Sequence, residues 1–204
     1  MIILPYTQIR QTETQNTIRQ VILAHGIIAY PTDTLYGLGG DFFSRTARRR
    51  IDSLKGRSRK PYSAAVSGLE MLGSLVQTIP PIFWKINRDH FPGKLTLLFP
   101  AGPQIDPDLL GGGSTIGIRM PGCPPLLELI DSLQTPLIST SLNISGQPPI
   151  HCPEEIPRAF PGLDVVISGP VLPPSRGSTV VDISHNSLRI LREGDVPPRE
   201  ILQV

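Results

Sequence analysis

Tyr30-Pro31-Thr32-Asp33-Thr34-Leu35-Tyr36-Gly37-Leu38-Gly39-Gly40-Asp41 is the stretch where a core strand gives way to residues suited to a ligand. The apolar run Ile27 to Tyr30 feeds it, and Pro31, which lacks an N–H and biases Tyr30 toward extended geometry, ends the strand. Two threonines and an aspartate alternate before Gly37, Gly39 and Gly40, which predict a glycine-rich turn whose backbone N–H groups can approach a ligand. The plainer alternative is a glycine-rich connection capped by threonines. A basic helix follows, capped by Ser44, with Ala47, Ile51 and Leu54 at helical spacing and the arginines expected on the other face.

On the N-terminal side, Thr12 to Ala24 reads as a helix that packs Ile18, Val21 and Ile22 and stops before Gly26. Downstream, Lys55 to Pro61 reads as a basic loop. Strands are expected over 62–66, 95–99, 114–120, 137–140, 165–167, 179–183 and 188–191. Helices are expected over 69–76, 82–89 and 124–133, near 154–160, and in a short tail. Thr115, Gly117 and Arg119 share one face of their strand, opposite Ile116, Ile118 and Met120. Alternating strands and helices with no repeat or linker predict a single α/β domain with a mixed sheet over residues 1–204, its core at about 12–195.

Composition sets the limits. Hydrophobic residues at 39% and charged residues at 18% of 204 describe an ordered globular chain. Twenty-three prolines, about twice the usual share, predict short elements with stiff connections. The start Met1-Ile2-Ile3-Leu4-Pro5 has no basic lead-in, and no apolar run approaches the roughly 18–20 residues that cross a bilayer, so a cytoplasmic chain is expected. Cys123 and Cys152 are isolated and the four histidines are scattered, which predicts neither a disulfide framework nor a metal site. From Arg45 to Lys60, eight basic residues meet one acid: a local +7 within a chain of net +2, leaving −5 elsewhere. A nearby polyanion explains that concentration better than a solvated face does.

The strand ends collect Thr32, Thr34, Ser139, Thr140, Ser141, Asn143, Ser145, Ser178 and Thr179, with arginines and lysines around them. Hydroxyl, amide and guanidinium groups without a poised histidine or cysteine suit the binding of phosphate and carboxylate oxygens more than covalent catalysis. Neither a GxxxxGK[ST] loop, a GxGxxG fingerprint nor a GxSxG elbow is present. These patterns lead to an anionic ligand, of which a nucleotide fits best, and no further.

Seven segments in order add a resemblance: 30–39, Lys55-Gly56-Arg57, 92–96, 115–121, Ser139 to Gly146, Ser178 to Asp182, and Ile190 to Gly194. Together they resemble the YrdC-like threonylcarbamoyl-AMP synthases. The resemblance implies a twisted open α/β sheet around a positively charged cleft. It also implies the conversion of L-threonine, bicarbonate and ATP, normally with magnesium, to threonylcarbamoyl-AMP and pyrophosphate. The product would pass to a threonylcarbamoyl transferase complex acting on tRNA.

By the same resemblance, Lys55 and Arg57 would be catalytic. ATP would be held by Lys55, Arg57, Lys60, Thr115, Ser141, Asn143 and Arg192, and threonine by Thr34, Arg119, Ser139 and Thr179. The segment Arg57 to Ala65 is one residue shorter than the family pattern and lacks its asparagine and histidine, with Lys60 in the asparagine's place. Leu142 and Pro149 replace the usual alanine and serine. Two alternatives remain: a paralogue that binds tRNA or double-stranded RNA through Arg48, Arg49 and Arg59, and carbamoyl transfer.

Overall fold

The computed structural model describes residues 1–56 and 60–203; Arg57 and Arg59, both expected at a site, lie outside the described residues. Ten strands form one open mixed sheet. They are β1 (Ile2–Pro5), β2 (Ile28–Tyr30), β3 (Gly37–Gly39), β4 (Ser63–Ala65), β5 (Leu95–Pro100), β6 (Thr115–Arg119), β7 (Leu137–Ser141), β8 (Val165–Ser168), β9 (Thr179–Asp182) and β10 (Arg189–Arg192). Their order across the sheet is β1-β8-β2-β3-β7-β4-β6-β5-β9-β10. The pairs β1/β8, β2/β8, β4/β6 and β5/β9 are parallel; the other five are antiparallel.

The two faces of the sheet have different chemistry. On one, Val181, Leu97, Ile118, Ala64 and Ile138 stand in register across five strands, all fully buried. Helices α2 (Arg45–Lys55) and α4 (Ile82–His90) cover this face with Ala47, Ile51, Phe83 and Ile86. On the other, Ile28, Tyr30, Ala65 and Leu137 pack with Ile18 and Ile22 of α1 (Thr12–Leu23) and with Leu126, Leu129 and Ile130 of α5 (Pro124–Leu133). Two shorter helices, α3 (Leu69–Gly73) and α6 (Ile156–Ala159), and the tail helix α7 (Pro198–Ile201) complete the chain.

The glycine stretch differs from expectation. Gly37–Gly39 is strand β3, antiparallel to both β2 and β7, and not a turn. Glycine is required there by packing: a Cβ on Gly37 would lie 2.7 Å from the Tyr30 ring, and one on Gly39 would lie 2.7 Å from the Ile138 carbonyl. The basic helix also needs correction. Ser44 caps it as expected, its hydroxyl accepting from the Ala47 N–H at 3.1 Å, and Gly56 closes it in the left-handed conformation at φ 59°. Lys55 is its last residue and is buried, so it does not belong to an exposed loop.

Candidate functional site

Beyond the cover of α1 and α5, the same sheet face is left open, and its side chains become small and hydroxylic. Ser139, Ser63 and Gly117 form one row across β7, β4 and β6. Thr96, Val180 and Arg192 form another across β5, β9 and β10. These rows floor a cavity of about 490 Å³, a volume typical of small-ligand sites. Gly117 shapes that floor by lacking a side chain, since a Cβ there would meet the Ser63 hydroxyl at 2.6 Å. Thr32, Thr34, Tyr36, Ser141, Asn143 and Ser178 line the walls. The charged lining side chains among the described residues are Arg119, Arg176 and Arg192.

Arg119 projects from the end of β6 where the floor meets the apolar cluster, and it is 7% exposed. Its Nη2 donates to Asp33 Oδ1 at 2.6 Å and to Thr34 Oγ1 at 2.8 Å. Its Nε is buried without a partner among the described residues. A guanidinium so placed retains donors for an incoming anion. Thr32 organises the turn before β3: its hydroxyl accepts from the N–H groups of Thr34 and Leu35 and donates to the Leu35 carbonyl at 2.7 Å. With its proton on the Leu35 carbonyl and both lone pairs taken by the two N–H groups, the Thr32 hydroxyl has no capacity left for the Thr34 hydroxyl 3.1 Å away.

At the other end of the cavity, Arg192 Nη2 donates to the Ser178 carbonyl at 2.7 Å, and the Ser178 hydroxyl lies 2.7 Å from that of Thr96. Desolvation, and secondly the charge of Arg119, lower the pKa of Arg192. Tyr36 donates to the Pro170 carbonyl at 3.0 Å, and burial pushes its pKa up to about 12, so its hydroxyl remains protonated at neutral pH.

Several expected site residues meet here: Thr34, Arg119, Ser139, Ser141, Asn143 and Arg192 all line the cavity. Others do not. Lys55 sends Nζ to the Ser141 carbonyl and to the carbonyl and Oδ1 of Asn143, the latter two at 2.8 and 3.0 Å, so it pins the loop after β7 from beneath. Thr179 is fully buried and ties β9 to the segment after β10, donating to the Val196 carbonyl and accepting from the Gly194 N–H. Thr115 is half-buried at the start of β6 and Lys60 is exposed; neither lines the cavity.

The expected RNA face needs a similar correction. Arg48 is buried and paired with Asp106 at 2.9 Å, whereas Arg49 is exposed. Sequence reasoning passed over Asp33 as the partner of Arg119, along with Ser63, Thr96, Ser175 and Arg176. Only the pattern of alternate residues on β4 and β5 could have found Ser63 and Thr96. Among the described residues no three His, Cys, Asp or Glu side chains gather as a metal site. No helix among them is long and apolar enough to cross a membrane.

The Sua5/YciO/YrdC family model, described as telomere recombination, matches residues 20–194. The chain belongs to this family. It is 32% identical over 180 residues to the threonylcarbamoyl-AMP synthase of Pyrococcus abyssi, covering 87% of this chain and 53% of that one. It therefore spans about half the length of that relative. With the threonylcarbamoyl-AMP synthase of Thiobacillus denitrificans it shares 32% identity over 170 residues, covering 80% and 87% of the two chains. The crystal structure of P. abyssi Sua5 complexed with L-threonine superposes with a TM-score of 0.89 at 28% identity, over 100% of this chain and 60% of that one.

Proposed function

We propose that this chain is an L-threonylcarbamoyladenylate synthase, joining L-threonine, bicarbonate and ATP into threonylcarbamoyl-AMP with release of pyrophosphate. The observation that carries the proposal is the buried Arg119, held by Asp33 and Thr34 in a cavity lined by hydroxyls. Further support comes from the likeness to the T. denitrificans synthase over 80% of this chain and 87% of that one.

Arg119 binds the threonine carboxylate, with Thr34 and Ser139 beside it, and so fixes where the amine stands. Ser141, Asn143 and Arg192 take the nucleotide. The amine takes up carbon dioxide, and a carbamate oxygen attacks the α-phosphate in line as pyrophosphate leaves. Arg192 and Arg57 neutralise charge on the phosphates. Lys55 acts through Ser141 and Asn143, the acceptors that occupy its Nζ. Thr179 supports the Arg192 side of the cavity from below, and Thr115 and Lys60 have no direct role.

Among the described residues the cavity walls hold hydroxyl and amide oxygens and no carboxylate cluster, so magnesium would arrive with the triphosphate. It would supply charge neutralisation. The product's use in tRNA modification by a partner transferase, and a cytoplasmic location, fit this reaction. Arg49 is left as an exposed contact for tRNA. Pyrophosphate release that requires both threonine and bicarbonate is the test; release independent of threonine, or none, would refute the proposal.

A further inference from the structure

Arg176 stands outside every motif that points to the reaction, yet it lines the cavity. Its backbone is fixed. Asp195 accepts the Arg176 N–H on Oδ1 and the Ser175 hydroxyl on Oδ2, both at 2.8 Å, and Lys94 Nζ lies 3.4 Å from that second oxygen. The Asp195 N–H donates back to the Gly177 carbonyl, and Gly194 packs so tightly there that a Cβ would sit 2.4 Å from the same carbonyl oxygen. Ser175 and Arg176 thus form a firm wall between the cavity and an open hollow on its outer side, which Glu193 lines.

The guanidinium on this wall is held much less firmly. Its side chain is 75% exposed, and Nη1 is 3.7 Å from Glu193 Oε1, beyond hydrogen-bonding distance, with that glutamate 55% exposed in turn. Such a surface pair is easily exchanged for a better anion. Inside the cavity, Arg119 is anchored through Nη2 by Asp33 and Thr34, and Arg192 through Nη2 by Ser178. A ligand that reaches from them to the mouth with several charges in series would present its last charges beside Arg176.

We propose that Arg176 is a phosphate-binding residue that exchanges Glu193 for the terminal phosphates of the bound nucleoside triphosphate, an inference that rests on the synthase reading. The planar guanidinium can hold two phosphate oxygens at once, which a lysine cannot. A nucleoside monophosphate would end short of the wall and leave Arg176 on Glu193. No bond is made or broken in this exchange; its effect is on triphosphate affinity.

Calorimetric titration with a non-hydrolysable ATP analogue and, separately, with AMP, both at saturating threonine, tests it. Arg176→Ala should weaken the analogue about tenfold and AMP less than twofold, with Arg176→Lys between wild type and alanine for the analogue. Equal weakening of both nucleotides, or of neither, in a protein whose wild type binds both would overturn the role of Arg176 and leave the synthase reading intact. A wild type that binds neither nucleotide would overturn both.

Discussion

Replacing Lys55 by methionine keeps the aliphatic stem at the end of α2 and removes the ammonium that holds the Ser141 and Asn143 carbonyls and Asn143 Oδ1. A hydrogen bond from a charged donor contributes about 1.5–3 kcal/mol net. At least three are lost together, but water can reach part of a loop whose Ser141 and Asn143 are only half-buried, so a total of roughly 2–4 kcal/mol is expected. For a chain of this length each kcal/mol lowers Tm by about 2–4 °C, so Lys55→Met should melt roughly 5–15 °C below wild type. Differential scanning calorimetry reads the shift, and initial rates of pyrophosphate release measured well below the new Tm read the effect on turnover. Because Ser141 and Asn143 line the cavity, the KM for ATP should rise as the loop loosens. A Tm within 2 °C of wild type combined with abolished turnover would refute this reasoning, because the ammonium would then be acting on the substrate and not on the loop.

Arg119→Lys should raise the KM for threonine by about 100-fold in initial-rate kinetics, because a point charge cannot reproduce a fork held by Asp33 and Thr34. Gly117→Ala should lower kcat/KM while moving Tm by less than about 3 °C, since the added methyl meets the rotatable Ser63 hydroxyl at 2.6 Å. The Asp108 N–H, and then the guanidinium groups of Arg48 and Arg45, hold the Asp106 carboxyl below its usual range. Its contribution to stability is therefore complete above that range and is lost as pH falls through the depressed value, below about pH 4. Asp106→Asn should accordingly flatten the fall of Tm between pH 5 and pH 2.5 and be less stable than wild type at pH 7, where Arg48 loses its partner.

Most helices and strands could be read from local chemistry: Ser44 and Gly56 bracket α2, and the alternation at 115–119 separates floor from core. What could not be read depends on residues distant in sequence. Gly37–Gly39 looks like a turn until the Tyr30 ring is seen to occupy the space its side chains would fill. Arg48 sits within a run of arginines with every mark of a solvated face, and only Asp106, 58 residues on, accounts for its burial. The resemblance puts Lys55 at the nucleotide, whereas its acceptors in the structure lie 86 and 88 residues away. The Arg119 and Asp33 pair spans 86 residues, and nothing local to either marks it.

The single proton on the Thr34 hydroxyl has a consequence for what can bind. Thr32 has its own proton and both lone pairs in use, so the Thr34 proton stays available, while one Thr34 lone pair is taken by Arg119. The capacity that remains on this oxygen is one proton and one lone pair, while the guanidinium 2.8 Å away can only donate. This end of the cavity thus offers a place for negative charge beside a hydroxyl that can both donate and accept. A simple anion uses the guanidinium and that proton; an amino acid, with carboxylate and amine on one carbon, also uses the lone pair that remains. On the synthase reading, the amino acid would take its orientation from Arg119 and Thr34 independently of any nucleotide.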